Sequence, residues 1–202
     1  MTTVYLVRHA EAEGNTYRRM HGHYNSLITQ NGLRQIEALR AGFAEIPIDA
    51  CFASDLFRTC KTAQSVYLSK NLPLQPDRRF RELKIGRWED TPFGWLEHFE
   101  KRNIDLFNND EQNWHVEGSE TLEECANRFL QGLDEVSAAN DGKTIVIFTH
   151  SCALRAMQKR LLKLDDLALC ENTAVSRLRW EDGAVTFELL NDASHLTPEI
   201  SS

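Results

Sequence analysis

The sequence has no long apolar run, no C-x-x-C pair and no excess of positive charge, and each absence removes a class of function. Without about 20 consecutive apolar residues, no helix is expected to cross a membrane. The five cysteines (Cys51, Cys60, Cys125, Cys152 and Cys170) are odd in number and scattered. That pattern fits free thiols in a reducing cytoplasm better than a disulfide framework or a zinc site. Lys and Arg total 23 against 30 Asp and Glu, a formal net charge of -7, so nucleic acid is not expected as a partner. An anionic ligand would need a local cationic pocket instead. Internal repeats, low-complexity tracts and linkers are also missing, and Met1-Thr2-Thr3 runs straight into an apolar segment, with no room for a secretory signal. The expectation is one cytoplasmic domain over residues 1–202, monomeric or homodimeric, with a large core and a small-molecule partner.

Three segments read as buried strands: Val4 to Arg8, Ala50 to Ser54 and Thr144 to Thr149. Helical periodicity marks Thr29 to Phe43, Leu56 to Leu68, Leu122 to Val136 and Ser151 to Leu162. Alternating strands and helices predict a three-layer α/β/α sandwich around a mainly parallel sheet. Two apolar runs, Ala174 to Trp180 and Ala184 to Leu190, flank Asp182-Gly183, which predicts a hairpin and one antiparallel edge. Residues 91–118 lack clean periodicity and read as a small cap insertion, helical around Trp95 to Phe99. Trp95, Phe99, Phe107 and Trp114 would cover the pocket, and an acidic and amide-rich middle (Asp105, Asn108, Asn109, Asp110, Glu111) would keep the cap open.

Chemistry-bearing residues collect where the strands end, the edge of an α/β sheet at which ligands bind. Arg8 and His9 follow the first strand, Ser54-Asp55 and Arg58 the second, and His150-Ser151 the third. A neutral imidazole can attack phosphorus, and a guanidinium fork matches a phosphate face. An alkoxide leaving group needs a proton donor, and the segment Phe80 to Glu89 offers Glu82, then Glu89.

These residues sit in motifs that resemble the histidine phosphatase superfamily, which includes the phosphoglycerate mutases and related phosphatases. The motifs run in order as Leu6-x-Arg8-His9-Ala10-Glu11 with Asn15, then Arg19, Gly22, Asn25, Ile28, Thr29 and Gly32. They continue as Ser54-Asp55-Leu56-x-Arg58-Thr59 with Thr62 and Ala63, then Arg81-Glu82 with Gly86, Trp88 and Glu89. Gly118-Ser119-Glu120-Thr121, Thr149-His150-Ser151-Cys152 with Arg155, and Asn172-x-Ala174-Val175 complete the series. The resemblance implies that His9 is the nucleophile forming a phosphohistidine. Arg8, Arg58 and His150 would hold the transferring phosphoryl group, and Glu82 would serve as proton donor and then base. Asn15, His21, Gly22 and Ser151 would contact substrate. Neither a metal nor another cofactor is implied.

Three positions depart from the family pattern. Ser151-Cys152 replaces a glycine pair, Asn25 an aspartate, and His21 a Gln or Thr. About three dozen residues separate Glu82 from Glu120, a spacing that resembles the phosphatase branch more than the longer mutases, as does the Arg-Glu wording at 81–82. The expected activity is therefore a phosphomonoesterase acting on small phosphorylated metabolites, with a cofactor-dependent phosphoglycerate mutase as alternative. A catalytically silent phospho-ligand binding protein is disfavoured because His9 and Glu82 are present. Histidine-kinase phosphotransfer is disfavoured because no four-helix pattern surrounds either histidine.

Overall fold

A computed structural model describes residues 1–109 and 113–201; Asp110 and Glu111 of the cap segment lie outside the described residues. Six strands form one sheet: β1 (Thr2–Arg8), β2 (Ala50–Ala53), β3 (Leu74–Pro76), β4 (Thr144–Thr149), β5 (Val175–Glu181) and β6 (Ala184–Asp192). Their spatial order is β3-β2-β4-β1-β5-β6. The first four are parallel to one another, whereas β5 runs antiparallel to β1 and β6 to β5. The expected antiparallel edge is thus present. Its turn uses positive φ at Asp182 (49°) and Gly183 (83°), which matches the twist of the flanking strands.

Alternation along β1 explains the layers. Val4 and Leu6 pack into a core with Ile147, Phe129, Leu133, Leu154 and Met157. Tyr5 and Val7 point the other way, to Leu39, Val66, Val146 and Phe148. Both faces need covering. On the first lie α6 (Leu122–Ala138) and α7 (Ser151–Leu162), and on the second α2 (Gln30–Gly42) and α3 (Phe57–Tyr67). Thr29 caps α2 by accepting from the Gly32 amide at 2.9 Å, and Thr121 with Glu124 forms a reciprocal cap on α6.

The edge strand β3 and a short helix α1 (Glu13–Thr16) carry no periodic signal. Leu74-Gln75-Pro76 is too brief and polar, and its proline is tolerated because the strand lies at the sheet edge. The cap segment contains α4 (Phe93–Phe99) and α5 (Lys101–Asn109). Its aromatics divide differently from the expectation that all four cover the pocket. Trp114 is buried and Phe107 packs on it, ring centroids 5.0 Å apart, with Trp88 on both. These two belong to the core. Trp95 and Phe99 stack at 5.1 Å and remain exposed. Among the described residues no helix is long and apolar enough to cross a membrane.

Candidate active site

The parallel register sets Arg8 opposite Thr149, so the next residues, His9 and His150, leave adjacent strand ends together. Their rings lie 5.2 Å apart, and His21 stands 6.1 Å from His9 on another side. His9 Nδ1 is 2.8 Å from the carbonyl oxygen of Ala10. A carbonyl only accepts, so the ring hydrogen sits on Nδ1 and Nε2 keeps a free lone pair. Burial lowers the His9 pKa well below the usual histidine range, and Arg58 and Arg8 push it further down. The imidazole is neutral at physiological pH, the state a nucleophile needs.

His150 is fully buried, with Nε2 2.9 Å from Ser54 Oγ. Among the described residues the Ser54 hydroxyl hydrogen has no acceptor other than His150 Nε2, so it points there and leaves the ring hydrogen on Nδ1. Burial, then Arg58 and His9, hold His150 neutral as well. Arg58 has no exposed surface. Its Nη1 donates to Tyr24 O and its Nη2 to Gly22 O, both at 2.8 Å. Burial lowers its pKa to about 10, which leaves it charged at neutral pH. Arg8 donates through Nη1 to the carbonyl of Cys170.

Three buried polar atoms in this group have no partner among the described residues: Arg8 Nε, Arg58 Nε and His150 Nδ1. Orphaned buried polar atoms are uncommon and call for an explanation. Here they belong to the three residues that the motifs assign to the phosphoryl group, and three donors suit an anion with several oxygens.

Glu82 arrives from a loop held by contacts from several elements. Arg81 forms a two-pronged ion pair with Asp55 at 2.5 and 2.6 Å. Arg128 of α6 donates to the carbonyls of Arg79, Arg81 and Glu82, each at 2.7 Å, and pairs with Glu120. His23 donates to the Glu82 carbonyl at 2.8 Å. The Glu82 carboxylate itself rests on the N-terminus of α7. Its Oε1 accepts from the Leu83 and Ala153 amides at 2.8 and 2.9 Å, and Oε2 accepts from Cys152 N at 3.2 Å. Oε2, with the single longer bond, retains capacity for a further partner.

The other expected site residues divide. Asn15 Oδ1 accepts from the Ala12 amide at 3.0 Å, while Asn15 and Arg8 both line a cavity of about 520 Å³ beside the site. His21 bonds Ser26 at 3.0 Å, and burial with Arg58 and Arg8 lowers its pKa to about 3. Gly22 has φ of 47°, and a Cβ there would come within 2.5 Å of Ile85. Its carbonyl serves Arg58, so the glycine permits the close loop approach that the guanidinium requires. Ser151 opens α7 directly after His150. Glu89, the second-choice acid, sits beside Gly22. Asn25 keeps an acceptor where the family pattern has aspartate: its Oδ1 receives the Phe57 amide that starts α3, at 2.9 Å.

Several supporting residues escaped sequence reasoning. Arg128 and His23 act through contacts 46 and 59 residues away in sequence, and the bond of the motif residue Ser54 to His150 spans 96, none of which a local pattern reveals. Thr62 stood in a quoted motif without a role. It accepts from Ala10 N at 2.9 Å and donates to Arg58 O at 2.7 Å, tying the loop that carries His9 to α3. Asn172 Nδ2 donates to His9 O at 2.9 Å. Among the described residues, no group of three or more His, Cys, Asp or Glu is arranged to hold a metal ion.

Comparison with known proteins agrees with this geometry. The model of the histidine phosphatase superfamily (branch 1) matches residues 4–193. The chain is 29% identical to a protein of Proteus mirabilis named probable phosphoglycerate mutase GpmB, covering 98% of this chain and 96% of the relative. The solved structure of Bacillus stearothermophilus YhfR superimposes with a TM-score of 0.92 at 24% identity, covering 96% of this chain and 99% of that one. The α-ribazole phosphatase from Shigella flexneri superimposes with a TM-score of 0.82 at 21% identity, covering 94% and 96%. Likeness at these identities establishes a shared fold.

Proposed function

The chain belongs to the histidine phosphatase superfamily, whose members are phosphatases or mutases acting through a phosphohistidine, and from that premise we propose that it is a phosphomonoesterase for small phosphorylated metabolites. The observation that carries the reading is the trio of orphaned buried donors, on Arg8, Arg58 and His150, gathered around an imidazole whose Nε2 is unprotonated. Nε2 of His9 attacks phosphorus and the P–O bond to the alcohol breaks. The two guanidinium groups and the His150 N–H bind the phosphoryl oxygens as charge redistributes over them. Glu82 gives its proton to the departing alkoxide through Oε2. It then takes a proton from the water that attacks phospho-His9, which releases phosphate and restores the imidazole. The chemistry needs no metal and no bisphosphate primer in this scheme, because the arginines supply the countercharge.

A mutase is the second reading, favoured by the name of the 29% identical relative. Against it stands the short chain between Glu82 and Glu120, with Trp114 and Phe107 committed to the core and not to a sealed chamber over the site. Water reaching phospho-His9 outcompetes any alcohol by its concentration. The deciding experiment offers phosphomonoesters and 3-phosphoglycerate in parallel, measuring released phosphate and 2-phosphoglycerate. Phosphate release with negligible interconversion supports the phosphatase; efficient bisphosphate-primed interconversion with little free phosphate installs the mutase.

A further inference from the structure

The segment carrying Glu171 is stitched to the nucleophile loop on both sides. Cys170 O accepts from Arg8, and Asn172 Nδ2 donates to His9 O at 2.9 Å. Glu171 stands between these two ties, exposed, on the wall of the 520 Å³ cavity that Arg8 and Asn15 also line. This cavity meets the phosphoryl site at Arg8, whose side chain lines it. On the Arg58 side the guanidinium is wholly buried beneath the carbonyls of Gly22 and Tyr24. On the Arg8 side the cavity opens.

That cavity is not built for an acid. Its walls carry one cation, Arg8, which the phosphoryl group requires, and two carboxylates, Glu11 and Glu171. The donors on Glu11 are neutral, the Thr29 hydroxyl and the Asn31 amide, so its charge is not cancelled. Glu171 engages no cation among the described residues. On the neighbouring loop, Arg18 and Arg19 already face Glu97 and Asp90.

Resting on the phosphomonoesterase reading, we propose that the enzyme selects esters by the charge on their alcohol part, favouring ammonium-bearing and uncharged alcohols over carboxylate-bearing ones, and that Glu171 sets this preference. A carboxylate within several ångströms of the substrate's own charge, in a partly desolvated cavity, shifts relative binding by roughly tenfold. The effect shrinks with added salt.

The test compares kcat/KM for 2-aminoethyl phosphate, glycerol phosphate and 3-phosphoglycerate, with p-nitrophenyl phosphate as reference, in the parent protein, Glu171→Gln and Glu171→Lys. The readout is the ratio of amine to carboxylate ester within each protein, so a general loss of activity cancels. The expected ratio is about tenfold or more in the parent, smaller in Glu171→Gln and reduced at least about fivefold in Glu171→Lys. A ratio near one in the parent, or the same ratio in all three proteins while p-nitrophenyl phosphate is turned over, overturns the assignment to Glu171 alone. Failure of the parent to hydrolyse any ester, the reference included, overturns the phosphomonoesterase reading and this inference with it.

Discussion

Asp55 and Arg81 form a bidentate ion pair across two loops, and that pair ties the residue before Glu82 to the end of β2. Asp55 follows β2, on whose heels Arg58 enters the site, so one short motif positions both a proposed phosphate clamp and the neighbour of the proposed acid. A small set of long-range ties, some from motif residues and others from Arg128 and His23, thus assembles a site whose members are spread over about 140 residues of chain.

Loss of the proposed nucleophile should be absolute. His9→Ala is expected to abolish turnover and acid-labile labelling by a phosphorylated substrate while leaving the fold intact. Mass spectrometry of acid-quenched protein reads the label, and retained labelling would move the phosphohistidine elsewhere.

Arg58→Lys keeps one charge but loses the fork that reaches Gly22 O and Tyr24 O together. At least one buried carbonyl is left without its donor. The expected result is at least a tenfold fall in kcat/KM, about 1.4 kcal/mol or more, with a loss of stability of about 1–3 kcal/mol. Steady-state kinetics and urea unfolding measure the two; an unchanged kcat/KM places Arg58 outside the phosphoryl pocket.

Glu82→Gln separates leaving groups. Turnover of alkyl phosphates should drop far more than that of p-nitrophenyl phosphate, whose phenolate departs with little need of a proton. The variant should also lose about 1–3 kcal/mol of stability, because the amide nitrogen cannot accept from the Leu83, Ala153 or Cys152 amides. Equal loss on both ester types would turn attention to Glu89.

Acid should unfold the protein through its pocket. His9, His150 and His21 are all held below the ordinary histidine pKa, chiefly by burial and then by Arg58, with His21 at about 3. In the unfolded chain each binds a proton near pH ~6.5, whereas in the fold each stays neutral. Their contribution to stability is therefore flat above about pH 7 and is lost as pH falls below ~6.5, at up to about 1.4 kcal/mol per unit for each histidine. Denaturant titrations at pH 7.5, 6.0 and 5.0 should show the decline, and His21→Asn should make it shallower by one group. An identical slope in that variant would refute the assignment for His21.

Legibility in the sequence followed the range of the interaction. His9, His150 and Arg58 were readable because each follows an apolar strand, where local periodicity tells where the chain must turn. Glu82 was reachable only through its motif, since the groups that place it, Arg128 and the first amides of α7, come from distant elements. Gly22 looked like a substrate contact. The structure gives its carbonyl to Arg58, a role decided by a loop conformation that depends on packing against Ile85. Phe107 and Trp114 looked like cover for the pocket because aromatic content says nothing of direction. Trp88, from an earlier segment, draws both inward.

The strand order has a consequence for how the chain comes into being. Both neighbours of β1, which are β4 and β5, are made after it, and the nearer of them begins at Thr144. At synthesis rates of about 5–20 residues per second, β1 waits on the order of ten seconds with both edges unpaired. Its run Val4-Tyr5-Leu6-Val7 is apolar on both faces, the kind of segment that pairs with other chains when exposed. On the ribosome this apolar strand therefore stays without its first partner until about residue 150 has emerged.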